Sequence, residues 1–176
     1  MTVKATKKDI DGIYAIMEAS FPSDERRPKA EQTSLFDNPL YSVYVYKEEN
    51  EIIGFIAIWE FSDFIFTEHL AVDQKHRNKK IGSALITYIA EKYGKRICLE
   101  VEPPIDSITE RRVRFYERLG FYFNDYSYVQ PPISKGKESI PLFIMSTRSH
   151  LNKSEFDKTR DTLYEKVYGV SPAFAL

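Results

Sequence analysis

The spacing of apolar and polar positions changes along this chain between the helical period and the strand period. After a short first strand at Val3–Ala5, apolar residues recur at helical spacing from Lys8 to Ser20, and Pro22 ends that helix. Pro28 is placed to begin a second helix, which has to stop before Asn38-Pro39. The first forty residues are therefore predicted to be mainly helical.

β-rich runs follow, with a polar turn at residues 48–51 between the first two, as in an antiparallel hairpin. The predicted strands are Tyr41–Tyr46, Ile52–Glu60 and Phe64–Val72. A helical stripe over Gly82–Tyr93, closed by Gly94, then leads to a buried strand at Ile97–Val101. This β-α-β order predicts a parallel crossover, so together with the hairpin it predicts a mixed sheet.

The last third repeats helix and strand signals. A helix over Arg111–Leu119 stops at Gly120, and strands are predicted at Phe121–Tyr128 and Leu142–Met145. The tail carries another helical stripe that ends at Gly169. We therefore expect one domain over residues 1–147 and a helical extension over residues 148–176. The extension packs either on its own domain or on a partner subunit.

Composition narrows the classes of function. The 176 residues fit one domain, and the formal net charge of -1 provides no global field for nucleic acid or anionic membranes. The single cysteine, Cys98, rules out an intrachain disulfide and suits a reducing compartment. With no long apolar run or leader pattern, a cytoplasmic protein that does not bind membranes is expected. No spacing of His, Cys and carboxylates predicts a metal site.

Chemistry is most strongly indicated at residues 70–86. An apolar strand ends at Asp73, a basic turn follows, and Gly82 opens a helix. A helix start presents free backbone N–H groups and a partial positive charge, which together favour a phosphate. The cluster Lys75–Lys80 is otherwise an ordinary solvated turn or a small nucleic-acid patch, and the net charge disfavours the latter.

Two motifs resemble the GNAT (Gcn5-related N-acetyltransferase) superfamily. The run Arg77-Asn78-Lys79-Lys80-Ile81-Gly82, after Leu70-Ala71-Val72-Asp73, resembles its pyrophosphate loop, Arg/Gln-x-x-Gly-x-Gly/Ala. The run Arg114-Phe115-Tyr116-Glu117-Arg118-Leu119-Gly120-Phe121 resembles a second family segment, Phe-Tyr-Glu-Lys-Leu-Gly-Phe. Lys80 and Asn78 stand where the family often has glycine, which is favoured where the backbone takes a positive φ.

The resemblance covers roughly residues 1–147 and implies an α/β fold. That fold is a splayed mixed β-sheet flanked by helices, here with an extra C-terminal helix. Acetyl-CoA would lie where Phe64–Val72 and Ile97–Val101 diverge. The implied activity is direct transfer of an acetyl group from acetyl-CoA to a primary amine of a small molecule or a protein, with a homodimer possible. The alternative is a non-catalytic acyl-CoA-binding or sensor module on the same fold.

The resemblance also assigns coenzyme contacts by position. They are Leu70, Ala71, Val72, Arg77, Asn78, Lys79, Lys80, Ile81, Gly82, Ser83, Thr109 and Tyr116. Thr109 matches a position where many members carry asparagine, and it is also placed to cap its helix. Nearby Arg111, Arg112 and Arg114 either reach the coenzyme phosphates or form a solvated face.

Two catalytic residues are expected. Tyr116 matches the family tyrosine that protonates the departing thiolate, and its alternative role is a core aromatic. Glu68 is expected to accept the amine proton as a partly buried carboxylate with a raised pKa. His69 is the alternative base, but strand alternation predicts that it faces the other way. For the acceptor side, the resemblance indicates Phe21, Glu25, Arg26 and Tyr128.

Overall fold

Four antiparallel strands build the first of the two compact units into which the chain divides. The computed structural model describes residues 1–175, and its units are residues 1–97 and the residues from Cys98 onward. The strands of the first unit are β1 (Thr2–Lys4), β2 (Tyr41–Glu48), β3 (Glu51–Glu60) and β4 (Phe64–Val72). They pair in the order β1-β2-β3-β4.

Helices cover both faces of these strands. Helices α1 (Ile10–Ser20) and α2 (Lys29–Ser34) precede β2, and α3 (Ile81–Tyr93) follows β4. The Tyr41 hydroxyl accepts a hydrogen bond from Nε2 of Gln32 in α2, whereas the ring of Tyr44 contacts the ring of Tyr88 in α3. Because residues three apart in a strand point to opposite faces, α2 and α3 lie on opposite faces. Buried aliphatic residues such as Ile13 and Leu85 fill both interfaces.

A glycine lets the start of α3 approach the sheet closely. Gly54 of β3 is paired with Val72, the last residue of β4. A Cβ atom at Gly54 would lie 3.1 Å from Cγ2 of Ile81 and 3.2 Å from the carbonyl oxygen of Ala71. Ile81, which is 4% exposed, therefore anchors the first turn of α3 directly beside the end of β4. This packing fixes both ends of the loop between them.

The second unit combines three antiparallel strands with two helices. Its elements are β5 (Arg96–Val101, which begins just before the unit boundary), α4 (Ser107–Arg118), β6 (Phe121–Gln130), β7 (Ile140–Thr147) and α5 (Lys153–Lys166). The strands pair in the order β5-β7-β6. Capping boxes begin both helices, Asp106 with Thr109 at α4 and Asn152 with Glu155 at α5.

Helix α5 packs against β6 of its own unit. Phe156 and Tyr164 are almost fully buried, and the Tyr164 hydroxyl donates to the carbonyl oxygen of Val129 at 2.5 Å. The backbone N–H of Leu151 donates to Oδ1 of Asn124 at 2.7 Å. Of the two placements left open by the sequence, these contacts support packing on its own domain. The boundary at residue 147 and the homodimer stay predictions.

Three further findings concern membrane-spanning helices, metal-binding groups and the single cysteine. No helix within residues 1–175 is long and apolar enough to cross a membrane. Over the same described residues, no group of three or more His, Cys, Asp or Glu side chains is arranged to hold a metal ion. Cys98 is a fully buried free thiol, as its apolar strand predicts.

Candidate active site

The loop between β4 and α3 contains two residues in the left-handed conformation. Asn78 has φ 71° and Lys80 has φ 60°. These are the two positions where the resembled family often has glycine, so the backbone keeps the glycine-like shape although the side chains differ. Asn tolerates this region better than most residues, whereas Lys80 is strained there.

The first turn of α3 leaves its backbone donors uncapped. Lys80 occupies the N-cap position and its side chain accepts no hydrogen bond from the helix, whereas side-chain oxygens cap both α4 and α5. The short 3-10 helix Gln74–His76 is capped by Asp73, whose Oδ1 accepts from the N–H of Lys75 at 2.8 Å. Uncapped N–H groups and the helix dipole make the start of α3 suited to an anion.

Exposed cations lie in the same loop as these donors. Lys75, Arg77, Lys79 and Lys80 are all exposed. Lys79 lies 3.5 Å from Oε2 of Glu48, a pair in which both side chains are about half exposed and which solvent screens. The loop therefore offers mobile positive charge beside a fixed set of backbone donors, an arrangement that fits a pyrophosphate.

The strained lysine gives a direct stability prediction. A left-handed non-glycine residue costs about 1–2 kcal/mol. The extra freedom of glycine in the unfolded chain offsets about 0.4–1 kcal/mol of that. Lys80→Gly is therefore expected to raise the free energy of unfolding in urea by up to about 1 kcal/mol. Lys79→Gly is the matched control because Lys79 has no positive φ, and it should destabilise. Equal losses in both variants would contradict this account of the loop.

A β-bulge in β4 changes the direction of the candidate base. Ala57 of β3 pairs with His69, and the next residue, Ile58, pairs with Thr67, so Glu68 is an extra residue without a partner. Glu68 and His69 consequently both contact the α1–α2 connection. The prediction that His69 faces the other way is wrong, because strict alternation fails at a bulge.

Glu68 forms a buried bidentate ion pair with Arg27. Nη1 and Nη2 of Arg27 donate to Oε2 and Oε1 of Glu68 at 2.9 and 2.6 Å, and the side chains are only 6% and 2% exposed. Burial acts to raise the pKa of Glu68, but the Arg27 charge outweighs it and holds that pKa well below its ordinary value. The prediction that Glu68 is a partly buried carboxylate with a raised pKa is therefore wrong.

Three predicted acceptor contacts lie in the α1–α2 connection and already have internal partners. Phe21 packs edge-on against His69 with ring centroids 4.8 Å apart, and the carbonyl oxygen of Glu25 lies 2.7 Å from Nε2 of His69. Nε of Arg26 donates to the Phe21 carbonyl oxygen at 3.1 Å, and its Nη1 donates to the Tyr14 hydroxyl at 3.2 Å. These contacts order the connection.

Tyr116 sits near the end of α4 with its ring between two phenylalanines. Its centroid lies 5.1 Å from that of Phe115 and 5.5 Å from that of Phe121. Burial raises the pKa of Tyr116 to about 12, although Arg112 acts in the opposite direction. The phenol is therefore fully protonated at neutral pH, and among residues 1–175 its hydroxyl has no hydrogen-bond partner. It is free to donate to a ligand.

The structure assigns Thr109 to helix capping. Its hydroxyl donates to Asp106, at 2.9 Å from Oδ1 and 3.2 Å from the carbonyl oxygen, and accepts from the N–H groups of Ile105 and Asp106 at 3.1 Å. Of the two roles that the sequence leaves open, the capping role is the one present. A coenzyme contact through this hydroxyl would have to replace these bonds.

Tyr128 is a core residue of the second unit. It is 3% exposed, and its hydroxyl donates to Oε2 of Glu100 at 2.6 Å. Oε1 of the same carboxylate accepts from Tyr168 at 2.5 Å. The predicted acceptor contact at Tyr128 is corrected, because the hydroxyl is used inside the fold.

Sequence reasoning missed the pairing of Arg27 with Glu68 and missed one groove. The groove, of about 530 Å³, runs along α3 beside the loop and is lined by Thr2, Lys80, Ser83, Ala84, Thr87, Tyr88 and Glu91. The helical spacing of its α3 residues was visible in the sequence. Nothing in the spacing of Arg27 and Glu68, 41 positions apart, indicated their pairing.

Comparisons with known proteins agree on one family. Residues 39–122 match the family model of the GNAT acetyltransferase domain. A GNAT-family protein from Bacteroides thetaiotaomicron is 28% identical with a TM-score of 0.86, and the match covers 97% of this chain and 99% of that one. The predicted mixed α/β fold is thereby confirmed. A comparison with curated protein sequences found no match.

Two more distant structures share the fold. The ribosomal-protein-S18-alanine N-acetyltransferase of Escherichia coli is 17% identical with a TM-score of 0.66, covering 86% of this chain and 95% of that one. An aminoglycoside 6'-N-acetyltransferase in complex with coenzyme A is 16% identical with a TM-score of 0.63, covering 84% and 96%. At these identities the likeness concerns the fold alone.

Proposed function

Since this chain belongs to the GNAT superfamily, we propose that it transfers an acetyl group from acetyl-CoA to a primary amine by direct attack. One observation carries the proposal. The β4–α3 loop keeps the glycine-like backbone of a pyrophosphate loop at Asn78 and Lys80, and the first turn of α3 is uncapped. Acetyl-CoA supplies an activated thioester with a thiolate as leaving group.

In this proposal, residues of the first unit hold the coenzyme. The Asp73 N–H donates to the carbonyl oxygen of Ile53 in β3 at 2.8 Å, so alternation along β4 directs the N–H groups of Leu70 and Val72 away from β3. Donors in that direction suit the pantetheine arm and the thioester carbonyl, where they stabilise the developing oxyanion. The pyrophosphate takes the N–H groups of Ile81, Gly82 and Ser83, with Arg77, Lys79 and Lys80 around it.

The proposed acid is Tyr116. As the amine nitrogen bonds to the carbonyl carbon and the carbon–sulfur bond breaks, the departing thiolate takes a proton from the phenol. A hydroxyl that is half-buried, protonated and without another partner in the described chain suits this step. Because Arg27 occupies both oxygens of Glu68, the amine proton leaves to solvent in our scheme rather than to that carboxylate.

The acceptor is proposed only as a primary amine. Two relatives of the same fold are named for acetylating an aminoglycoside and a protein alanine, so the fold serves both small and protein amines. The α1–α2 connection, with Phe21, Glu25 and Arg26, is the proposed acceptor side.

A non-catalytic acyl-CoA-binding module is the second candidate. Two observations favour it: the Thr109 hydroxyl is already hydrogen-bonded within its helix cap, and Lys80 has a strained backbone conformation. Release of free thiol from acetyl-CoA, measured with a panel of polyamines, aminoglycosides and peptide N-termini, separates the two. Turnover with any member supports the enzyme, whereas tight acetyl-CoA binding without thiol release across the panel supports the binding module.

A further inference from the structure

We infer that Glu68 and His69 act as a latch that positions the Phe21–Pro28 segment as a wall of the acceptor site. This inference rests on the proposed function, because that function assigns the segment to the acceptor side. It replaces the expectation that Glu68 accepts the amine proton. The latch comprises the Arg27–Glu68 ion pair and the contact of His69 with the Glu25 carbonyl oxygen.

The ion pair fixes the far end of the segment. The two terminal guanidinium nitrogens of Arg27 donate to the two oxygens of Glu68, at 2.9 and 2.6 Å, with almost no solvent exposure. A bidentate pair of this kind restricts orientation as well as distance. Its two charges cancel in place, so neither side chain is available to a substrate while the pair is intact.

The imidazole of His69 fixes the middle of the segment. Nε2 lies 2.7 Å from the Glu25 carbonyl oxygen, which only accepts, so Nε2 must carry the donated proton. Nδ1 is buried, has no hydrogen-bond partner among the described residues and lies 3.5 Å from Oε2 of Glu68, so the two halves of the latch are adjacent. The edge contact between Phe21 and His69 extends the hold to the start of the segment.

Helix α1 also holds the Phe21–Pro28 segment in place. The Tyr14 hydroxyl donates to the Arg27 carbonyl oxygen at 2.7 Å and accepts from Nη1 of Arg26 at 3.2 Å. The bulge is what makes the arrangement possible, since it turns two consecutive residues of β4 toward one face. Bulges frequently re-aim side chains beside active sites in this way.

A positioning role and a proton-accepting role affect different kinetic constants. Loss of a general base lowers kcat even at saturating amine, by roughly 10²–10⁴-fold. Loosening one wall of the acceptor site weakens amine binding. It therefore raises KM for the amine and leaves KM for acetyl-CoA unchanged. Loss of the latch should also make the segment less ordered. Loss of a general base need not change the order of the segment.

The test compares a double variant with a surface control. Arg27→Met with Glu68→Met removes the latch pair without leaving a buried unpaired charge, which is the change most compatible with folding. Lys29→Met is the control, because it breaks an exposed pair with Asp11 at the start of α2. Hydrogen exchange is measured on both without acetyl-CoA, and KM and kcat are measured with the amine that turns over best.

We expect the backbone amides of the non-proline residues of the segment, 21 and 23–27, to exchange roughly tenfold faster in the double variant, with α3 unchanged. We also expect KM for the amine to rise roughly tenfold and kcat to fall by no more than roughly threefold. Unchanged exchange of the segment, or a kcat loss of roughly 100-fold with unchanged KM, would overturn the latch. Absence of turnover in the native protein would count against the proposed function and the acceptor role together, whereas the exchange result still tests the latch contacts.

Discussion

Tyr116→Phe is expected to lower kcat by roughly 100-fold or more while leaving the affinity for acetyl-CoA unchanged. The substitution removes only the hydroxyl, and the ring keeps its contacts with Phe115 and Phe121. Without that proton donor, the thiolate must leave unprotonated or wait for water. Thiol release gives kcat, and calorimetric titration gives the affinity.

The pKa of Tyr116, raised to about 12 by burial, adds a pH signature. Because the phenol stays protonated below that value, native kcat should show no decline from loss of this acid between about pH 7 and pH 10. Tyr122→Phe is the matched control, since Tyr122 is 41% exposed on β6. An equal kcat in the Tyr116→Phe variant and the native protein would remove Tyr116 as the acid.

Glu68→Gln is expected to lower the free energy of unfolding by about 3–5 kcal/mol, because it leaves the buried Arg27 charge without its counter-ion. For a chain of this size that corresponds to a fall of roughly 10 °C in Tm. Urea unfolding measures the change. The control is Asp37→Asn, which breaks a solvent-exposed pair with Lys7 and should leave stability nearly unchanged. Equal small effects would mean that the Arg27–Glu68 pair adds little to the folded state.

Acid pH should weaken the same pair. Since the pKa of Glu68 is lower in the folded protein than in the unfolded chain, its contribution is present above the unfolded value, near 4.5, and is lost as pH falls below it. One such group changes stability by at most about 1.4 kcal/mol per pH unit. The native free energy of unfolding should therefore fall more steeply below about pH 4.5 than that of the Arg27→Met, Glu68→Met variant. Parallel curves would contradict the lowered pKa.

The loop and its flanking elements were predictable from sequence because their causes are local. Apolar periodicity placed β4 and α3 within one residue of their observed ends, and Gly94 closes α3 with φ 59° as its position predicts. The motif at residues 77–82 lies between the end of β4 and the start of α3, so it indicated an anion site without tertiary information. The left-handed backbone at Lys80 needed the structure, since lysine itself gives no signal for positive φ.

The environment of Glu68 was not predictable, because it depends on register and on a distant partner. Alternation along β4 assigns His69 to the wrong face once the bulge adds a residue opposite β3. The expected rise in pKa considered burial alone, whereas Arg27, 41 positions earlier, supplies a counter-ion that reverses it. Charged residues in a turn resemble a solvated surface in sequence, and only folding shows that Arg27 is buried.

Hydroxyl groups were the other source of error. Thr109 and Tyr128 have the chemistry for ligand contacts, but their partners in the fold decide whether they are available. Thr109 is consumed by its own helix cap, an alternative that the sequence had offered. Tyr128 is consumed by Glu100 of β5, a long-range partner that local patterns do not reveal.

Calorimetric titration with acetyl-CoA of the native protein and the Gly82→Trp variant tests the central claim most directly. The indole in the first turn of α3 would cover the uncapped N–H groups, and Ala90→Trp, at an exposed position later in the same helix, controls for the added ring. We predict micromolar binding by the native protein and by Ala90→Trp, and a loss of roughly 100-fold or more in Gly82→Trp. Equal binding by all three proteins, or no binding by the native protein, would contradict a coenzyme site on this loop.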